Sequence, residues 1–221
     1  MKLYELACAC YGYANFTDFD KTYRDFLDKT KPCLDVHNTE HKGALLEWLN
    51  KWGCRIKDTF HPEIKGKLES WYDDNRSLLP SPNTNLLKIL DSELERIVES
   101  YNTLQTIPHI GPTCASKILF ALRKDVFPPW DVAMRKKWKY NGSAKSYKAF
   151  LIATKKQLCE LDTECARYRI LLSKLPSELA RPQSSLVKLI DEYNWVTITK
   201  NVMPPTTDTL QKWYLWEKQT Q

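Results

Sequence analysis

Residues 104–135 read LQTIPHIGPTCASKILFALRKDVFPPWDVAMR. Ile107-Pro108-His109-Ile110-Gly111 has the residue types of a tight hairpin. Pro112 suits the first position of a following helix, because its missing N–H would have no helical partner there. The spacing predicts that helix over Pro112–Lys124, with Ala115, Ile118, Leu119 and Leu122 buried and Ser116, Lys117, Arg123 and Lys124 turned outward. Gly111 lets a ligand approach the backbone without a Cβ in the way. The first-turn amides then lie at the positive end of the helix dipole, where phosphate binds. After the turn residues Pro128 and Pro129 comes a lone carboxylate, Asp131. A hairpin that grips phosphate, followed by a carboxylate delivered to a sugar, is chemistry aimed at nucleic acid. A plain pair of helices whose Gly and Pro only manage the turn explains the first half of the pattern and not the second.

The rest of the chain reads as helical, and the expected fold class is all-α. Asn38-Thr39-Glu40 caps a helix that runs through Leu45, Leu46, Trp48 and Leu49 to a stop at Gly53. A second runs from Pro62 through Ile64, Leu68 and Trp71 to Arg76, before the Leu79-Pro80-Ser81-Pro82 break. From Asn85 to Tyr101 the apolar residues Leu86, Leu87, Leu90, Leu94, Ile97 and Val98 recur at three- and four-residue steps. Further helical patterns cover Ser143–Leu158, Asp162–Leu175, Ser184–Tyr193 and Asp208–Glu217, while Val196-Thr197-Ile198-Thr199 alone has strand character. Trp48, Trp52, Trp71 and Trp138 fall in helical patterns and are assigned to the core.

Charge supplies an independent pointer to the same partner. Tyr101–Cys159 holds eleven Lys and Arg against Asp125 and Asp131, a net +9, whereas the remainder of the chain is −3. A basic segment around the hairpin of a mildly acidic protein is the footprint expected for a polyanion; a solvated lysine-rich surface is the plainer explanation. No apolar run approaches the roughly 18 residues of a membrane span. MKLYELACACYGYANF lacks a basic region followed by an unbroken apolar stretch, so no signal peptide is expected. Seven cysteines without paired spacing read as reduced thiols of an intracellular, cytoplasmic protein.

The central window resembles the helix-hairpin-helix (HhH-GPD) DNA glycosylase superfamily. Ile107-Pro108-His109-Ile110-Gly111 is similar to the family hairpin Leu-Pro-Gly-(Val/Ile)-Gly, and Asp131 stands twenty residues beyond Gly111, the spacing of the family's catalytic aspartate. Phe127-Pro128-Pro129-Trp130-Asp131-Val132 with Arg135 resembles the proline-bearing turn that carries it, and Asp125-Val126-Phe127 looks like the alkylbase branch. Two departures carry meaning. His109 replaces the first hairpin glycine, and histidine tolerates positive φ better than most residues. Thr113 stands where bifunctional members carry the catalytic lysine, so no Schiff base forms there.

The resemblance therefore implies a monofunctional DNA glycosylase. It would flip a damaged or modified base out of double-stranded DNA and hydrolyse the N-glycosidic bond, leaving an abasic site. Asp131 would stabilise the oxocarbenium ion and activate water; an aspartate ahead of Val132 is also an ordinary helix cap, and the two roles coexist. The biological role would be base-excision repair or defence against phage DNA with modified bases. The resemblance implies one unit of two helical lobes, about residues 22–125 and residues 1–21 with 126–221, and a DNA-binding cleft between them. DNA contacts map to His109, Gly111, Thr113, Lys117 and Arg135. Lys117 is read as a phosphate contact or surface lysine, and only remotely as a displaced nucleophile. Main-chain carbonyls of Gln105, Ile107 and Ile110 map to a structural Na+ or K+ site, and no other cofactor is required. Late cysteines are limited to Cys159 and Cys165, too few for the family's iron–sulfur cluster. Trp130, adjacent to Asp131, is the candidate stacking surface for the base. The protein is expected to act as a monomer without membrane contact. The alternative is a non-catalytic helix-hairpin-helix DNA-binding module; a purely helical interaction protein is a further one.

Overall fold

Periodic apolar residues and well-formed caps build a helical protein. The computed structural model describes residues 1–219 and contains no strand among them. Its helices are α1 (Leu3–Phe16), α2 (Phe19–Lys29), α3 (Thr39–Lys51), α4 (His61–Asn75), α5 (Leu94–Leu104), α6 (Pro112–Leu122), α7 (Val132–Lys137), α8 (Ala144–Arg167), α9 (Leu175–Glu178), α10 (Leu186–Asn194) and α11 (Thr207–Gln219). Asn38 caps α3 by accepting the Glu40 and His41 amides, and Gly53 follows the helix at φ +84°. A cap of this kind contributes about 1 kcal/mol.

Three expectations are corrected. The Asn85–Tyr101 pattern is not one helix: Leu86–Lys88 and Asp91–Glu93 are short 3-10 turns, and regular helix begins at Leu94. Asn85 Oδ1 accepts the Lys88 amide and Glu93 Oε2 accepts the Leu90 amide, so side chains compete with the helical ladder there. Ser143–Leu158 and the first part of Asp162–Leu175 are one long helix, which ends at Arg167. Leu158, Leu161 and Cys165 continue the buried face of α8, and the chain breaks only at Arg169, φ +58°. Val196-Thr197-Ile198-Thr199 is not strand but part of a π-helical turn, Trp195–Thr199, continuing α10. Thr197 Oγ1 donates to the Tyr193 carbonyl at 2.7 Å, satisfying backbone that a strand would have paired elsewhere.

Packing groups the helices in two sets. The first is α2 on α3, α3 on α4 and α6, and α4 and α6 on α5; the second is α1 on α10 and the π-turn, with α10 on α8. They meet where α5 lies on α8. α2 packs mainly on α3 and α1 mainly on α10, so the main packing partner changes at the α1–α2 connection, close to residue 22.

One apolar core runs through both sets, and aromatic contacts within it hold the loops that matter. Tyr101 of α5 stacks on Tyr147 of α8 with ring centroids 4.1 Å apart. Both hydroxyls then reach loop backbone: Tyr101 donates to the Gly142 carbonyl at 2.8 Å and Tyr147 to the Pro128 carbonyl at 3.0 Å. The segment leading to Asp131 is thereby fixed from beneath. No helix among the described residues is long and apolar enough to cross a membrane.

Candidate functional site

α5 ends at Leu104, and successive turn hydrogen bonds carry the chain to α6. Ile107 N–H bonds to the Leu104 carbonyl, and Ile110 N–H bonds to the Ile107 carbonyl at 3.1 Å. His109 takes φ +68°, the left-handed geometry that histidine tolerates. Its ring lies flat on Phe60, centroids 3.6 Å apart. Among the described residues no hydrogen bond engages the His109 or Gly111 amides, and the Thr113 amide belongs to the unpaired first turn of α6. Gly111 has ordinary negative φ, and a Cβ built on it would meet nothing within 4 Å. Packing thus does not require glycine there; the space lies open above free N–H donors.

Opposite stands Asp131. It is the N-cap of α7, its Oδ1 accepting the Met134 amide at 2.7 Å. Oδ2 accepts the Thr199 hydroxyl at 2.6 Å, a bond that reaches from the π-turn. Both carboxylate oxygens are therefore oriented by protein donors. A cleft of about 610 Å³ is lined by His109, Gly111, Thr113, Lys117, Asp131 and Arg135, together with Trp52, Arg55 and Thr199. Every expected DNA-contact residue borders this one cleft. Arg135 Nη1 donates to Thr113 Oγ1 at 3.0 Å, which carries a guanidinium to the first turn of α6.

Two expectations about α6 fail. Ser116 and Lys117 do not face solvent; they are 0% and 7% exposed. Ser116 Oγ accepts the Trp130 amide. The Lys117 ammonium donates to the Trp52 carbonyl and lies over the Trp52 ring. The end of α3 covers the face that helical periodicity left outward, and a backbone acceptor there holds the charge. Lys117 is consequently neither a surface lysine nor a freely reaching phosphate contact. Accessible positive charge sits instead on Lys136, Lys137 and Lys139, all exposed beside Arg135.

Trp130 is also relocated. It is 1% exposed, packs on Phe150 and Tyr147, and donates its indole N–H to the Pro112 carbonyl at 3.1 Å. Although it reaches the wall of an inner pocket, its main work is to anchor the Asp131 segment to α6. That pocket, about 90 Å³, opens behind Asp131 and shares Trp52, Lys117 and Asp131 with the cleft. Tyr13, Phe19, Trp52 and Trp195 supply its aromatic walls, and Asp191 a second carboxyl. Tyr13 and Trp195 meet edge to face at 5.2 Å, as do Phe19 and Trp195 at 5.8 Å.

Beneath the pocket lies a buried ionic cluster. Lys188 Nζ pairs with Asp191 Oδ2 at 3.2 Å and Glu192 Oε1 at 3.3 Å, and stands 4.0 Å from the Tyr13 ring centre. Arg181 joins Glu192 to Asp20. Burial pushes the Asp191 carboxyl up to about 6, against the pull of the Lys188 ammonium. Sequence reading missed Tyr13, Phe19, Arg55, Asp191, Trp195 and Thr199. One signal was present: Lys188, Asp191 and Glu192 at helical spacing among Leu186, Val187, Leu189 and Ile190, charges on a face that could only be buried.

Compared with known proteins, the chain matches no family model, no curated protein and no solved structure.

Proposed function

We propose that the protein is a monofunctional DNA glycosylase of the helix-hairpin-helix kind, which extrudes a modified base from duplex DNA and hydrolyses its bond to deoxyribose. The observation that carries this reading is the place of Asp131 at the junction of two cavities, with both oxygens oriented by donors. On one side lies a cleft with free amides and Arg135, suited to a phosphate backbone. On the other lies a pocket with aromatic walls, suited to a flat base.

The chemistry divides among named groups. The His109, Gly111 and Thr113 amides hold a backbone phosphate, and Arg135 adds charge beside them. The sugar of the extruded nucleotide lies against Asp131 while its base enters between Trp52 and Trp195. As the bond from C1′ to the base nitrogen breaks, the bonding pair leaves with the base and positive charge develops on the sugar. The ionised Asp131 stabilises that charge and takes a proton from the attacking water, whose oxygen bonds to C1′. With Thr113 at the family's lysine position and Lys117 committed to the Trp52 carbonyl, no amine stands ready to open the abasic product. The hairpin fits a structural monovalent cation: the Ile107 carbonyl, bonded once to the Ile110 amide, keeps a second lone pair and would hold it with the Gln105 and Ile110 carbonyls.

The test is release of free base from a panel of duplex DNAs, heavily modified phage DNA included, read by mass spectrometry, with abasic sites revealed by alkali. Release of a base supports the reading and distinguishes a repair substrate from a phage modification. Silence across the panel with DNA binding intact would leave a non-catalytic binding module.

A further inference from the structure

Asp191 has no place in the chemistry just described, yet its geometry is unusual. The residue is 6% exposed and lines the inner pocket. Oδ2 accepts from Lys188 Nζ, whereas Oδ1 has no hydrogen-bond partner among the described residues. Trp52 cannot supply one, because its indole N–H is committed to the Phe19 carbonyl and Thr22 Oγ1 at 3.2 and 3.1 Å. A carboxylate oxygen that borders a pocket walled by aromatic rings, with no protein donor, is left open to a donor on a ligand.

Size fixes which part of a ligand reaches it. The pocket, at about 90 Å³, is smaller than the engineered cavity of roughly 150 Å³ that accepts benzene. A base therefore fills it only with its leading edge, while the sugar end remains beside Asp131 at the cleft. We propose that Asp191 Oδ1 reads that leading edge, and that the pocket selects bases presenting an N–H there, either a lactam N–H or an exocyclic amine. An ionised carboxylate is acceptor-only; an edge that offers only acceptors, or whose nitrogen is alkylated, leaves it unpaired. The groups facing Asp191 are Lys188 and Glu192 on its own helix, Lys117 from α6 and Tyr13 from α1. The carboxyl, lifted by burial only to about 6, is charged at pH 7.5.

This proposal rests on the glycosylase reading of the cleft, and its test separates the two. Free bases with methyl in place of the sugar are titrated into the full-length chain at pH 7.5, following the indole N–H signals of Trp52 and Trp195. The pairs are 9-methylhypoxanthine against 1,9-dimethylhypoxanthine, and 9-methyladenine against its N6,N6-dimethyl form. The N–H partner of each pair is expected to bind about tenfold to a hundredfold more tightly, the range set by a hydrogen bond to a charged acceptor. Asp191→Asn is expected to shrink that preference below about threefold. In the wild type, the Asp191 carboxyl 13C signal is expected to move only with the N–H partner, a readout that needs no variant. Equal binding within both pairs, a preference undiminished in D191N, or no shift with any base overturns the proposal. Base release from DNA without N–H dependence would sink this inference and leave the enzyme. N–H-dependent binding with no base release from any duplex would do the reverse.

Discussion

Asp131→Asn separates the capping role of this residue from the catalytic role proposed for it. As a cap, asparagine is nearly the equal of aspartate, and its single carbonyl oxygen can keep the Met134 amide bond of 2.7 Å. Its NH2 then faces Thr199 Oγ1, 2.6 Å from Oδ2 in the wild type, and that hydroxyl can turn to accept. Stability is therefore expected to change by less than about 1 kcal/mol. The charge is another matter. A carboxylate about 4 Å from a sugar cation, at an effective dielectric near 20, contributes roughly 4 kcal/mol. At about 1.4 kcal/mol per tenfold in rate, its loss slows base release by about three orders of magnitude. The assay is single-turnover release from the duplex on which the wild type acts, with DNA affinity by fluorescence anisotropy and thermal melting as controls. Release within tenfold of wild type by a normally folded, DNA-binding D131N would refute the electrostatic role. Lost affinity instead would mean that Asp131 shapes the interface.

The other predictions concern packing, partners and pH. Gly142 has φ +87°, and an added Cβ would lie 2.8 Å from Pro112 Cγ, a ring that cannot yield. Gly142→Ala is therefore expected to cost about 3 kcal/mol and to lower Tm by roughly 6–12 °C; a drop under about 2 °C would contradict the packing at the start of α6. Replacing Lys136, Lys137 and Lys139 together by alanine is expected to flatten the salt dependence of DNA affinity by up to about three in logarithmic slope. Lys117→Met leaves that slope unchanged unless Lys117 reaches phosphate after all. Borohydride treatment with abasic DNA is expected to trap no covalent adduct; an adduct would point to Lys117 as nucleophile. The Asp191 carboxyl titrates near 6 in the folded chain against 3.8 ordinarily, so the folded state alone holds the proton between those values. That stabilisation is full below 3.8 and lost as pH rises through 6. Denaturant unfolding across this range should show wild type losing up to about 3 kcal/mol relative to D191N. Parallel curves would contradict the burial of the ionised group.

Local chemistry was legible in the sequence, and distant chemistry was not. Asn38 and Gly53 bound α3 as their residue types require, and His109 occupies the left-handed turn that its position in the hairpin demanded. Asp131 caps α7, a role its neighbours announced. The inner pocket escaped because its walls come from α1, α2, α10 and the π-turn, where each aromatic residue alone is indistinguishable from core. Lys117 was misplaced for the same reason: a helical wheel shows which face is polar, not that another helix end waits with a carbonyl. β-Branched residues concealed Thr199, since Val-Thr-Ile-Thr favours strand unless α10 is already present to be continued.

That π-turn has an implication for engineering. Trp195 opens its five residues as a wall of the pocket, and Thr199 closes them as the tether of Asp131. A cavity widened by reshaping Trp195, or the residues between, is coupled through the same short backbone to the carboxylate's aim. Breadth of acceptance and catalytic alignment would then drift together under selection. Phe19 and Tyr13 touch Trp195 edge to face but lie on α2 and α1, outside the backbone that ends in Thr199. A library meant to admit bulkier rings with the least disturbance to Asp131 belongs there.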